Sequence, residues 1–185
     1  MNLEQLIKGC KKHQIKAQSE LYTRYKDVLY TLCLKYCKNT EEAEDNLQDA
    51  FISIYNNISK YKGKGSFEGW MKRITINKAI DKYKKDGFMN VMIKDDLLSD
   101  TTIDTDQLNL PLHTLLNTIQ ELPSRYRLIF NLYEMDGYTH KEIAKQLNIS
   151  EGTSKSNLHR AKLILKDKIN SINQSQPINT ITNGK

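Results

Sequence analysis

THKEIAKQLNISEGTSKSNLHRAK, residues 139–162, decides the fold. Thr139-His140-Lys141-Glu142 has the form of a capping box, in which the Thr and Glu side chains satisfy each other's unpaired amides. A helix therefore starts there and runs to about Leu147. Asn148 tolerates the left-handed conformation that a sharp turn requires, and Ser150 caps a second helix expected to reach about Ile169. Ile143, Ala144, Leu147, Ile149 and Leu158 are apolar; small Ala144 lets the helices approach, and Ile149 fills the gap between them. Two capped helices joined by about three residues make a helix-turn-helix. On the second helix Thr153, Lys155, Ser156, Asn157, His159, Arg160 and Lys162 are polar, while Leu158, Ala161, Leu163 and Leu165 can pack. Lys155, Ser156, His159 and Arg160 suit a major groove, where Lys and Arg donate to guanine acceptors and Ser, Thr and His reach bases or phosphates. An amphipathic helix whose basic face is merely solvated would show the same pattern.

Working outward, Leu112 to Glu121 reads as a helix stopped before Pro123. Ser124 is expected to cap the next, with Leu128, Ile129, Leu132 and Tyr133 on its apolar face. Far upstream, Leu3 to about Lys12 is a short helix. Lys16 to Lys38 is a longer one, with Leu21, Tyr22, Tyr25, Leu29, Leu32, Cys33 and Tyr36 at spacings of three and four. Thr40 can cap the following helix, whose first turn holds Glu41, Glu42 and Glu44 where the helix dipole favours them. That helix turns Ala43, Leu47, Ala50, Phe51 and Ile54 inward and leaves Asp45, Gln48, Asp49 and Ser53 outward. ISKYKGKG, residues 58–65, reads as a loop, and Ser66 caps a helix through Trp70, Ile74, Asn77 and Ile80 to about Lys85.

The chain has 185 residues, 38 % hydrophobic and 27 % charged, with 28 Lys and Arg against 22 acidic groups. That length allows one ordinary domain or two small ones, and the lean apolar fraction suits small helical modules with large surfaces. A formal charge of +6 favours a polyanionic partner without choosing between nucleic acid and an anionic membrane. No apolar run approaches the roughly 18 residues of a membrane span, and MNLEQLIKGC lacks a signal-peptide core. No membrane insertion and a cytoplasmic location are expected. Cys10, Cys33 and Cys37 are an odd count without metal-ligand spacing; reduced thiols packed in a core are the plain reading, with a redox or metal role as the alternative.

Charge is unevenly distributed. Residues 1–86 carry 17 basic and 11 acidic groups, residues 87–112 one lysine and five aspartates, and residues 113–185 ten basic and six acidic groups. The expected architecture is all-α: a first helical domain over 1–86, a flexible acidic linker over 87–112, a helix-turn-helix domain over 113–170 and a polar tail over 171–185. In the first domain, Lys72, Arg73, Lys78, Lys82, Lys84 and Lys85 interleave with Phe67, Trp70 and Tyr83, behind Tyr61. Rings can stack on unpaired bases while cations follow the phosphates. Phe67, Trp70 and Ile74 are equally well spaced to be core.

The motifs DNLQDAFISIY, then GSFEGWMKRITINKAID, then LPSRYRLIFNLYEMDGYTHKEIAKQLNISEGTSKSNLHRAK, in that order, resemble bacterial RNA polymerase sigma factors. The resemblance is to the small extracytoplasmic-function (ECF) subfamily and covers the chain from about Leu3 to Leu165. It implies a transcription initiation factor, not an enzyme and without cofactor or metal, that binds core RNA polymerase and directs it to promoters. By the same resemblance, Asp45, Gln48, Asp49 and Phe51 dock on the clamp helices of the largest polymerase subunit, and the second domain meets the flap region. Tyr61, Lys62, Phe67, Trp70, Lys72, Arg73, Asn77 and Lys78 meet the opened −10 element. Thr153, Lys155, Ser156, His159 and Arg160 read the −35 element. An anti-sigma factor or other recruiting protein is a further partner class that the resemblance admits.

Ser154 stands where the family usually has Val, Asn148 where Gly is common, and Lys155 where Arg is frequent, which removes a rigid bidentate fork. Two elements about one and a half turns apart are separated by roughly 50–55 Å, and a linker of 26 residues spans at most about 85 Å. The rival readings are a stand-alone helix-turn-helix regulator and a nuclease or recombinase. The latter needs clustered carboxylates for metal, whereas Asp45 and Asp49 lie one helical turn apart with no further cluster in the first block.

Overall fold

The structure, a computed structural model, describes residues 1–85 and 111–175. The chain divides into two compact units, Met1–Val91 and Met92–Lys185, and the regular structure among the described residues is helical. Of the expected linker, residues 87–110 lie outside the described residues, as does the tail from residue 176 on.

Unit one comprises α1 (Leu3–Lys11), α2 (Ile15–Tyr36), α3 (Thr40–Asn57), a 3₁₀ turn (Ile58–Lys60) and α4 (Phe67–Lys85). Helices α2, α3 and α4 pack pairwise, and α1 lies on α2 and on the 3₁₀ turn. Leu6, Leu21, Leu29, Ile54, Ile58 and Met71 are each at most 1 % exposed, and burying an aliphatic side chain of this kind contributes about 1.5–3 kcal/mol. Gly9 admits α2 closely: a Cβ there would sit 2.7 Å from the Ala17 Cβ.

One polar group interrupts this core. Asn46 is buried, and its Nδ2 donates to Cys33 Sγ at 3.3 Å and to the Thr75 carbonyl at 3.4 Å, joining α2, α3 and α4. Buried amides persist where they find such partners. All three cysteines are buried and free. Burial pushes the Cys33 thiol up to about 11, against the Asn46 hydrogen bond, and raises Cys10 as well. Both are thus protonated, packed side chains, as the plain reading of the sequence has it.

Two helix starts differ from expectation. Asn39, not Thr40, caps α3: its Oδ1 accepts from the Glu42 amide at 2.8 Å, and Thr40 is the first helical residue. Either side chain can cap, and Asn39 holds the extended backbone that a cap requires. Pro123 rather than Ser124 precedes α6, because its fixed φ and missing N–H suit the position before a helix. Ser66 caps α4 as expected, accepting from the Gly69 amide at 3.0 Å.

Unit two comprises α5 (Leu112–Gln120), α6 (Ser124–Phe130), a π-helical turn (Asn131–Met135), α7 (His140–Leu147) and α8 (Glu151–Ser175). Helix α8 is the spine against which α5, α6 and α7 pack. It continues to Ser175, past the expected end near Ile169. Leu128, Ile129, Leu132, Ile143 and Leu165 are each at most 1 % exposed. Leu163, expected to pack, is 38 % exposed. It falls on the outer face, while Leu158, Ala161, Leu165 and Ile169 line the inner one. Arg127 is 3 % exposed, and its Nη1 donates to the Gln120 carbonyl at 2.7 Å, satisfying the end of α5.

Candidate nucleic-acid interface

In unit one the chain between α3 and α4 closes on itself. Tyr61 Oη donates to the Gly65 carbonyl at 2.8 Å, and Gly63 and Gly65 hold φ of 75° and 77°. A Cβ at either glycine would meet nothing within 4 Å, so glycine is favoured there by the backbone angle alone. Three rings gather behind the loop. Tyr61 lies 5.0 Å from Phe67 and 5.5 Å from Trp70, and Phe67 stacks on Trp70 at 5.6 Å and 20°. Phe67 is 2 % exposed and also meets Tyr25 edge-on. It belongs to the core, where the expectation had it meeting the opened strand. Tyr61 and Trp70 are half-buried and pack against the same core.

Lys62, Arg73 and Asn77 are exposed, and Lys72 and Lys78 half-buried. Lys72 pairs with Glu68 at 2.6 Å. The first turn of α3 is fastened to α4: Glu42 accepts from the Lys38 amide at 2.6 Å and faces Lys82 at 3.5 Å. Burial alone would raise the Glu42 carboxyl, but the Lys38 amide and the charges of Lys82 and Lys38 outweigh it and hold it below its usual range. On the outer side of α3, Asp45, Gln48 and Asp49 are exposed, beside Ile52 at 58 %. Phe51 is 3 % exposed, and its ring lies 4.7 Å from Tyr22 and 5.9 Å from Tyr55. It supports that face from beneath and does not belong to it.

Unit two forms the expected helix-turn-helix. Thr139 accepts from the Glu142 amide at 3.2 Å while Glu142 accepts from the Thr139 amide at 2.9 Å. Asn148 is left-handed at φ 55°, ψ 48°, and Ser150 Oγ accepts from the Thr153 amide at 2.9 Å. At the start of α8, Lys155 is exposed and Thr153, His159 and Arg160 are half-buried. Ser156, expected on the base-facing side, is instead 8 % exposed, and its hydroxyl donates to the Thr153 carbonyl at 3.1 Å, so it faces inward. Asn157 is buried as well. Lys162 pairs with Glu134 at 2.8 Å.

His140 was not singled out in the sequence. Its ring stacks on Tyr133 at 4.3 Å, and its Nδ1 shares a 2.9 Å hydrogen bond with Ser154 Oγ. Ser154 is 0 % exposed. These three residues tie the π turn, α7 and α8 together. The sequence signal was Ser154 itself, a hydroxyl among inward-facing apolar residues, which must find a partner when buried.

Residues 21–88 match the family model for Sigma-70 region 2, and residues 112–165 match that for Sigma-70, region 4. The ECF RNA polymerase sigma factor SigW of Bacillus subtilis is 30 % identical over 185 residues, covering 91 % of this chain and 97 % of that protein. The chain belongs to the ECF family of RNA polymerase sigma factors. It is a transcription initiation factor that directs RNA polymerase to promoters. The B. subtilis ECF sigma factor SigM is 32 % identical over 156 residues, covering 80 % of this chain and 91 % of that one. In fold, this sigma factor is similar to RpoE from Bartonella quintana, solved as a co-crystal with the anti-sigma factor NepR. The TM-score is 0.51 and the identity 18 %, over 85 % of this chain and 99 % of that one. The region 2 match takes in α2 from Leu21 on, α3, the ring platform and α4, and the region 4 match takes in the helix-turn-helix. Helix α1 of this sigma factor precedes both. No described helix is long and apolar enough to cross a membrane.

Proposed function

We propose that the two units divide promoter recognition between them. Unit one, in its residues 1–86, grips core polymerase through Asp45, Gln48 and Asp49 and holds the opened −10 strand on Tyr61 and Trp70, with Lys62, Lys72, Arg73, Asn77 and Lys78 along its phosphates. Unit two, in its residues 113–170, anchors the −35 duplex through Thr153, Lys155, His159 and Arg160 and meets the polymerase flap. The stretch between them, residues 87–112, carries one lysine and five aspartates, a charge that promoter phosphates would repel. The observation that carries this reading is the ring platform behind a loop closed on itself. Half-buried aromatic residues beside cations suit unstacked bases, and suit paired duplex poorly.

Extruding a base costs a few kcal/mol, which stacking on Tyr61 and Trp70 offsets. The polymerase performs the nucleotidyl transfer, so the chain acts without cofactor or metal, in the cytoplasm. An anti-sigma factor of the kind bound to the B. quintana relative is a partner class for this chain too. The test is run-off transcription with core polymerase across a genomic template library: the chain should yield discrete start sites sharing two upstream elements. A purified chain that protects an operator without polymerase, and adds no start sites with it, is instead a stand-alone regulator.

A further inference from the structure

The fold brings a third cationic segment to the −10 loop. Lys8, Lys11 and Lys12 recur at i, i+3 and i+4, so they share one face at the C-terminal end of α1. All three are exposed, while Leu6 and Cys10 on the opposite face are fully buried. Helix α1 packs on the 3₁₀ turn, and Lys11 Nζ donates to the Tyr61 carbonyl at 3.1 Å, across fifty residues of sequence. Lys60, Lys62 and Lys64, also exposed, continue from there. Neither stretch holds a carboxylate: residues 5–19 contain Lys8, Lys11, Lys12 and Lys16, and residues 50–67 contain Lys60, Lys62 and Lys64, with no Asp or Glu in either. Favourable placement at a helix C-terminus accounts for Lys8 and Lys11; it does not account for three more lysines on the loop they meet.

We propose that the end of α1 and this loop form one phosphate track, which leads the single strand onward from the base held at Tyr61 and Trp70. The proposal rests on the single-strand reading of unit one and extends it to a helix outside the matched region 2. Lys11 serves twice: its hydrogen bond fixes the loop at Tyr61, and its charge continues the line from Lys8 and Lys12 to Lys62. A strand whose base occupies the platform presents its backbone to these cations. A membrane surface would leave the half-buried rings and the closed loop without a role.

The test is fluorescence anisotropy of the full chain with a labelled oligothymidylate, titrated at several salt concentrations. Each phosphate contact to a single strand contributes about 0.7 to the slope of log K against log salt. Lys8→Gln/Lys12→Gln, which leaves the Lys11 hydrogen bond intact, should weaken binding and flatten the slope by about 1.4. Lys11→Arg should keep the wild-type slope, and Lys11→Gln should lose both slope and affinity. An unchanged slope in the double variant overturns the track while the platform stands. Lysine variants that flatten the slope where Tyr61→Ala and Trp70→Ala change nothing uphold the track and sink the platform. A wild-type chain that ignores the oligonucleotide yet sediments with phosphatidylserine vesicles overturns both.

Discussion

His140 shows how much a single side chain can carry. Its ring is held below the usual histidine value first by burial, then by the charges of Lys155 and Lys162, with Glu151 and Glu134 opposing them. The folded state therefore favours the neutral ring, which keeps its stack on Tyr133 and its bond to Ser154. The stability this gives is fully present above the unfolded pKa of about 6.5 and is lost as pH falls through the lower folded value, because the unfolded chain takes up the proton first. Unit two should accordingly lose stability between about pH 7.5 and pH 5.5, and His140→Phe, which keeps a ring on Tyr133 but cannot titrate, should flatten that loss. Urea denaturation at both pH values checks it; parallel losses in wild type and variant would assign the slope to other groups. Ser154→Val at pH 7.5 tests the bond itself. Filling the space with methyls leaves the imidazole nitrogen unpaired, at a cost of about 1–3 kcal/mol. None of this could be read from spacing, since a buried serine announces that it needs a partner but not which one.

At the scale of the element, the sequence was legible wherever one residue had one suitable place. The capping box at Thr139, the left-handed Asn148 and the Ser150 cap all sit where their chemistry puts them. It misled where neighbours were equivalent. Asn39 and Thr40 can both cap, and only the backbone, extended at Asn39, decides. Asn39→Ala should cost about 1 kcal/mol, and Thr40→Ala, past the cap, should stay within about 0.5 kcal/mol; urea midpoints for the pair separate the two assignments. Facing was harder than boundaries. Phe51, Phe67 and Ser156 each belong to a motif that suggests contact with a partner, and each is turned into the core. Helical period locates a residue on a face to within one position, and that margin is the difference between Lys155, exposed, and Ser156, buried. The residues that remain outside, Asp45, Gln48 and Asp49 on α3 and Lys155 on α8, are those whose charge or amide has no use for an apolar interior.

At the scale of the whole molecule, the two units must fail separately if they do separate work. A factor that touches DNA at two places gains affinity because the first contact raises the effective concentration of the second, so losing either weakens promoter binding. Binding measurements alone cannot tell the units apart; opening can. A template carrying a pre-melted bubble at the −10 element supplies the unpaired bases that unit one otherwise has to capture. Arg73→Ala should transcribe poorly from duplex template and recover on the bubble, because only the opening step is impaired. Lys155→Gln should lose roughly tenfold or more from duplex and recover little, because the −35 anchor is still weak when the strands are already apart. On the proposed docking of α3, Asp49→Lys should fail on both templates and in a pull-down with core polymerase, since it reverses a charge on the exposed side of that helix. Three variants, two templates and one pull-down thus give three patterns. If Arg73→Ala and Lys155→Gln respond alike to the bubble, the units share one task, and the division of labour between them is wrong.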